Sequence, residues 1–259
     1  MSHPEQQRFI ALVSEHLLKH ARPGKVLEIG SYDVNGINRV HFHDTPSYLG
    51  VDLIEGPGVD MVKSGHELDL ASGSFDLTFS CECFEHNPYW LETLLNMIRM
   101  TKPGGLVVFT CASLGRLEHG TARVAGPLSP GTHLQGWDYY RNLRRRDFER
   151  RINLGNHFTI FRFYYLRNCA DLYFFGFKKG GEQPPFDLAA FERQVASIPS
   201  MESERHKQRG MVKRIVRRMH KIPLRIVPLI VGEKWFQEFA LIYKRLSIKG
   251  MRLVGWKGL

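Results

Sequence analysis

Residues 25–36 read KVLEIGSYDVNG, an apolar run followed by a loop with glycines at positions 30 and 36. The run predicts a short buried strand. A second run, YLGVDL over residues 48–53, contains Asp52, which lies 22 residues after Gly30. In a doubly wound sheet, a glycine-rich loop lets a nucleotide approach the backbone, and an acid ending the next strand binds its ribose. The pattern predicts a nucleotide-type ligand here; the alternative is a tight turn and a solvated aspartate.

Strand-like runs alternate with helix-like patterns over most of the chain. We predict helices over residues 4–20, 89–101 and 144–152, and strands over residues 25–31, 48–53, 60–63, 75–81, 106–112, 157–166 and 171–179. This alternation predicts a parallel sheet covered by helices on both faces, with the last two strands paired as an antiparallel edge. We divide the chain into a catalytic domain at 1–180, a linker at 181–204 and a basic segment at 205–259.

Composition excludes several classes of protein. The 259 residues are 43% hydrophobic and 12% aromatic, which excludes wholesale disorder. Four cysteines exclude a disulfide scaffold. No apolar run approaches the roughly 20 residues of a membrane span, and the amino terminus lacks the features of a secretory signal. We therefore expect a cytoplasmic protein.

Four blocks in chain order resemble class I S-adenosylmethionine-dependent methyltransferases. They are YLGVDLIEGPGVD at 48–60, SFD at 74–76, EH at 85–86 and KPGG at 102–105. The first loop, Gly30-Ser-Tyr-Asp-Val-Asn-Gly36, is similar to that of a bacterial subgroup within this family. The resemblance covers residues 25–112. It implies a Rossmann-like, mostly parallel seven-stranded sheet with helices on both faces.

The resemblance also implies a binding site for S-adenosylmethionine. Gly30, Ser31 and Gly36 would shape the pocket for the methionine end of the cofactor. Asp52 would bind the ribose and Leu53 would pack on the adenine, whose amine would be read by the backbone near Gly65. The full set of expected cofactor-binding residues is Glu28, Gly30, Ser31, Gly36, Asp52, Leu53, Gly65, His66 and Cys81.

The segment after the fourth predicted strand carries Glu82, Glu85 and His86. An imidazole that titrates near neutral pH can take a proton from an attacking hydroxyl, so His86 is the first candidate base. The three side chains together are an alternative site for a divalent metal ion that lowers the pKa of an alcohol. A third interpretation is structural, with Glu85 and His86 capping the following helix.

Two further histidines, His119 and His133, lie in the long loop after the fifth predicted strand and are additional catalytic candidates. His119-Gly120 and the block Asp138-Tyr-Tyr-Arg141 are similar to segments of related methyltransferases. The stretch between them, residues 121–137, predicts a lid that influences substrate choice.

The positive charge is concentrated in the carboxyl-terminal segment. Residues 201–259 contain 15 Lys and Arg against 4 Asp and Glu, a net +11, whereas residues 1–200 contain 21 and 22, a net −1. Met211, Ile215 and Met219 recur at helical spacing among basic residues, the pattern of a basic amphipathic helix. Such a segment suits an anionic membrane surface. The alternatives are docking on its own domain or on a second copy in a homodimer; nucleic acid is disfavoured because the catalytic domain is not basic.

These features predict an O-methyltransferase that modifies a sugar hydroxyl of a cell-surface glycan or its lipid-linked precursor, in polysaccharide biosynthesis at the inner face of the membrane. The choice of acceptor rests on the basic segment and on analogy with the subgroup. The alternatives are a small-molecule enzyme acting on a phenol or quinone precursor, an RNA methyltransferase and a non-catalytic scaffold.

Overall fold

The computed structural model describes residues 3–19, 22–205 and 211–253. The helices are α1 (Pro4–Leu12), α2 (Trp90–Met100), α3 (Pro130–Leu134), α4 (Arg145–Glu149), α5 (Leu154–His157), α6 (Leu188–Arg205), α7 (Met211–Ile230) and α8 (Glu233–Leu253). The strands are β1 (Lys25–Ile29), β2 (Ser47–Asp52), β3 (Met61–Val62), β4 (Phe75–Cys81), β5 (Thr101–Ala112), β6 (Phe158–Leu166) and β7 (Asp171–Lys178).

The seven strands form one sheet in the order β3-β2-β1-β4-β5-β7-β6. Strands β1 to β5 run parallel, and β7 runs antiparallel to both β5 and β6. The predicted mostly parallel seven-stranded sheet is confirmed, as is the antiparallel pairing of the last two strands. In this sheet β7 lies between β5 and β6, so β6 is the edge strand on that side.

Alternate residues of the central strands face two separate apolar layers. On β5, Val107 and Phe109 pack with α2 and α4 on one face, whereas Leu106 and Val108 pack with α1 and α6 on the other. The near-continuous apolar character of β5 follows from this burial on both faces. Because the polar loops therefore gather at the ends of the strands, the carboxyl edge of the sheet is the place where a ligand can bind.

Strand β5 begins earlier than predicted. The segment Lys102–Gly105 was expected to be a loop, but it belongs to the strand and forms an irregularity opposite Asp76, between the pairs Phe75–Thr101 and Leu77–Leu106. The Lys102 ammonium holds this irregularity against the sheet by pairing with Asp76 at 2.6 Å.

Helix α6 occupies most of residues 181–204, the segment for which a linker was predicted. Its Phe191, Val195 and Ile198 are buried against α1, and the Phe191 ring lies 5.9 Å from that of Phe9. The helix packs on the sheet because these side chains recur at one-turn intervals and complete the second apolar layer.

The carboxyl-terminal segment forms the helices α7 and α8. Helix α7 runs through Pro223 and Pro228, although proline usually interrupts a helix. Gln237 of α8 attaches the segment to the loop after β5, because its amide donates to the Arg116 carbonyl and accepts from the Glu118 N–H. Among the described residues, no helix is long and apolar enough to cross a membrane. The predictions for residues 206–210 and 254–259 lie outside the described ranges.

Candidate active site

A cleft of about 710 Å³, including its mouth, opens at the carboxyl ends of β1, β2 and β4. Seven of the residues predicted for the site line this cleft: Gly30, Asp52, Leu53, Gly65, Cys81, Glu82 and His86. The remaining wall comes from the loop after β5, including Leu128, Ser129, Pro130, Gly131, Thr132 and Trp137.

Gly30 ends β1 in a conformation that requires glycine. Its φ is +82°, and a Cβ atom there would lie 2.8 Å from the Cβ of Cys83. The backbone of the first loop therefore packs directly on the segment after β4, and both form one wall of the cleft.

Asp52 presents its carboxylate to the cleft from the end of β2. One oxygen accepts a hydrogen bond from the Tyr32 N–H at 2.9 Å, and the other accepts from the Leu53 N–H at 2.7 Å. Burial raises the pKa of Asp52, and these two hydrogen bonds oppose that rise. Since a carboxylate oxygen has two lone pairs, each oxygen keeps one for a ligand.

Four residues predicted to bind the cofactor do not line the cleft. Glu28 is buried behind it, where its carboxylate accepts from the Asn38 amide and the Tyr48 hydroxyl. Ser31 is buried between the first loop and β2, and Gly36 lies in a turn held by Asp33. His66 is stacked on Tyr89 with ring centroids 4.1 Å apart.

The loop after β5 covers the cleft. A Cβ atom at Gly131 of α3 would lie 3.0 Å from the Cβ of Leu53 and 3.3 Å from an oxygen of Asp52. The lid predicted over residues 121–137 thus contributes residues directly above the carboxylate. His133, on the same helix, lies beside Gly126 and does not line the cleft.

Behind His86, a group of polar side chains is enclosed by protein. The His86 ring lies 5.0 Å from that of His119 and 5.4 Å from that of Tyr140, and Glu85 is completely buried. Within the described chain, both Glu85 carboxylate oxygens, both His86 nitrogens and Nε2 of His119 lack a hydrogen-bond partner. The other His119 nitrogen lies 2.9 Å from the Leu117 carbonyl.

Burial dominates the protonation of this group. It raises the pKa of Glu85 to about 8, with a further contribution from the charge of Glu82. It lowers the pKa of His86 well below its ordinary value and that of His119 to about 4. Both imidazoles are therefore neutral at pH 7, and each is a weak base on its own.

Gly120 makes room for the His86 ring. Its φ is +67°, and a Cβ atom there would lie 2.7 Å from Cε1 of His86. His119 thus packs its own ring against His86, and Gly120 leaves the space that the His86 ring occupies.

Glu82 points away from Glu85 and His86. It has a φ of +50°, rare for a residue with a side chain, and its carboxylate lies 3.7 Å from Nε2 of His3. The same His3 nitrogen lies 2.7 Å from Asp171, which is 3.5 Å from the Arg116 guanidinium. The three predicted residues Glu82, Glu85 and His86 therefore divide between two clusters, and His119 takes the place of Glu82 beside the other two.

The sequence did not indicate His3, Asp171 or Arg116 as site residues, and no local pattern marks His3 or Asp171, which are far apart in the chain. The lid was predicted as a segment, without the individual residues that line the cleft. Tyr140 belongs to the Asp138–Arg141 block that the sequence had singled out.

Comparison with models of known protein families gives a match. A family profile described as "Methyltransferase domain" matches residues 1–150. Comparison with curated proteins finds no match.

Solved structures with a similar fold cover about two thirds of this chain. One is a Burkholderia thailandensis 1,6-didemethyltoxoflavin-N1-methyltransferase with bound 1,6-didemethyltoxoflavin and S-adenosylhomocysteine; it is 17% identical, covers 68% of this chain and 80% of its own, and has a TM-score of 0.46. A protein from Pyrococcus horikoshii is 16% identical over 69% of this chain and 93% of its own, with a TM-score of 0.47. A Bacillus subtilis protein is 11% identical over 67% and 99%, with a TM-score of 0.45.

Proposed function

Because this chain belongs to the methyltransferase domain family and is an S-adenosylmethionine-dependent class I methyltransferase, we propose that it methylates a sugar hydroxyl of a cell-surface glycan or its lipid-linked precursor. The observation that carries this choice of acceptor is a second groove at the same edge of the sheet. It lies between α7 and the loops that follow β5 and β6.

The cofactor fits the first cleft. Asp52 has a free lone pair on each carboxylate oxygen for the two ribose hydroxyls, and Gly30 lines the cleft where the methionine end would lie. Leu53 supplies an apolar surface for the adenine. When bound, S-adenosylmethionine supplies a methyl group that is already activated on a sulfonium, so the protein contributes mainly positioning.

The second groove encloses about 1600 Å³, including its open side, and suits a lipid phosphate. Its walls carry apolar side chains, including Leu224, Ile226 and Leu229, together with Arg116, Arg167 and Arg225. Among the described residues that line it there is no carboxylate, but the Arg116 guanidinium lies 3.5 Å from the buried Asp171, so the phosphate would be bound mainly by Arg167 and Arg225. The apolar walls would hold a prenyl or acyl chain. A guanidinium group can donate two parallel hydrogen bonds to two oxygens of one phosphate.

A membrane would bring this acceptor to the enzyme. Leu229, Ile230 and Trp235 are 69%, 78% and 73% exposed at the junction of α7 and α8, next to Arg225 and Lys234. On α8, Gln237 is hydrogen-bonded to the loop after β5 and Phe236 is buried, whereas the neighbouring Trp235 is exposed. Exposed apolar residues beside cations are typical of surfaces that insert into an anionic bilayer. We include this membrane contact in the proposal.

The test is methyl transfer from radiolabelled S-adenosylmethionine to a prenyl-diphosphate-linked oligosaccharide fraction, with a phenolic quinone precursor and total RNA as parallel acceptors. We expect label only in the lipid-linked sugar. The variant Arg225→Gln should raise KM for that acceptor while leaving affinity for S-adenosylhomocysteine unchanged. Label confined to the phenol or to RNA would overturn the proposal.

A further inference from the structure

The buried cluster of Glu85, His86 and His119 has the composition of a metal centre. The exposed fractions of these three residues are 0%, 4% and 7%. Each offers a ligand atom, and these three atoms all lie within 4.8 Å of one another. We propose that Glu85, His86 and His119 bind one divalent transition-metal ion.

Unsatisfied polar atoms are the first argument. Five nitrogen and oxygen atoms of these three residues are buried without a hydrogen-bond partner in the described chain. Buried polar groups in native proteins nearly always have a hydrogen-bond partner or a bound ion. A divalent cation would satisfy the carboxylate and one nitrogen of each imidazole at the same time.

The geometry is the second argument. Metal–nitrogen and metal–oxygen bonds are about 2.0–2.2 Å long, so two ligand atoms of one ion lie at most about 4.4 Å apart. The observed separations need only small side-chain rotations to reach that range. His119 is already oriented, because its Nδ1 lies 2.9 Å from the Leu117 carbonyl and its Nε2 remains free to bind. Such a backbone partner commonly orients a metal-binding histidine.

The ligand types indicate which ion would bind. Two imidazoles and one carboxylate suit zinc, manganese, iron or cobalt, whereas calcium and magnesium prefer oxygen ligands alone.

The position of the ion would give it a role in the reaction. His86 lines the cofactor cleft, whereas Glu85 and His119 lie behind it, so an open coordination position would face the cleft. An acceptor hydroxyl bound there would have a lowered pKa. Only this role rests on the proposed function; the binding of the ion does not.

Cobalt(II) is the probe for the test, because its visible absorption changes when protein nitrogen atoms bind it. The chain is stripped with a chelator and titrated with cobalt(II), and zinc binding is measured in parallel by calorimetry. We expect one ion per chain and a higher Tm with zinc. Glu85→Gln and His119→Ala should each lower metal affinity by at least tenfold, whereas His133→Ala should retain it.

Binding of S-adenosylhomocysteine to the same samples separates the two hypotheses. If the stripped, folded wild-type chain binds S-adenosylhomocysteine but no cobalt(II) or zinc, the metal centre is refuted and the methyltransferase function stands. Cobalt binding that is equal in the wild type and in Glu85→Gln would also refute the assignment. The Glu85→Gln variant keeps the shape of the side chain, so the test survives if His119→Ala does not fold.

Discussion

Replacing Asp52 by asparagine tests the cofactor site most directly. The carboxylate of Asp52 accepts one backbone hydrogen bond on each oxygen and keeps one lone pair on each for the ribose. Asparagine has the same shape, retains one oxygen acceptor and replaces the other with a donor. The variant should therefore lose the charge and at least one bond to a ribose hydroxyl.

The expected loss of affinity follows from the strength of such a bond. A hydrogen bond to a charged group contributes about 1.5–3 kcal/mol, and about 1.4 kcal/mol corresponds to a tenfold change in Kd. Asp52→Asn should thus weaken binding of S-adenosylhomocysteine about 10- to 100-fold. The amide nitrogen of the variant would also face one of the two backbone N–H donors and lose that hydrogen bond, so we expect a small fall in Tm as well.

Isothermal titration calorimetry with S-adenosylhomocysteine measures this change. Asp60→Asn is the matched control, since Asp60 also accepts a backbone hydrogen bond, from Gly50, but does not line the cleft. Its Kd should stay within about twofold of the wild type. An unchanged Kd for Asp52→Asn would show that Asp52 does not bind the ribose.

Three further predictions concern packing, pH and the membrane. Gly120→Ala should lower the free energy of unfolding by about 1–3 kcal/mol, because the residue has φ +67° and the methyl group would contact His86; a loss below about 0.5 kcal/mol in urea denaturation would contradict this. Burial alone would lower the pKa of His3, but Asp171, Glu5 and Glu82 raise it to about 9. Since this pKa exceeds the unfolded value of 6.5, the charged His3 side chain stabilises the folded state fully below pH 6.5, and this stabilisation is lost as pH rises through 9. The difference in unfolding free energy between the wild type and His3→Gln should therefore fall from at most about 3 kcal/mol at low pH to near zero at high pH. A difference that stays constant with pH would refute the charge interaction. The double variant Leu229→Ser with Ile230→Ser should reduce co-sedimentation with phosphatidylglycerol vesicles, whereas Val40→Ser, which is also exposed, should not; equal sedimentation of both would argue against the membrane contact.

The first part of the fold was predictable because its signals are local. The strand, loop and acid between Lys25 and Asp52 are adjacent in the chain, and their spacing is set by the short connections of a parallel sheet. The seven strands were also found, since apolar runs bounded by turn residues identify buried strands without knowledge of their neighbours. Strand β5 was predicted to begin five residues too late, because Pro103 and Gly104 resemble a loop although Lys102 pairs with Asp76.

The grouping of the polar residues was not predictable in the same way. Glu82 and Glu85 are three residues apart, but the φ of +50° at Glu82 turns its carboxylate toward His3 and Asp171. No periodicity reports a single backbone angle of this kind. His119 reaches Glu85 and His86 because β4 and β5 are neighbours in the sheet, so their carboxyl ends bring the two following loops together.

Local pattern thus predicted the strands, the glycine-containing loop after β1 and the concentration of positive charge after residue 200, because each depends on residues close in the chain. The docking of α6, the contact of Gln237 with the loop after β5, and the pairing of His3 with Asp171 depend on which surfaces meet after the chain has folded. These contacts join residues more than 100 positions apart. These contacts are stabilised by apolar burial and by hydrogen bonds that form only when both partners are removed from solvent in the folded chain. Patterns among neighbouring residues therefore do not predict them.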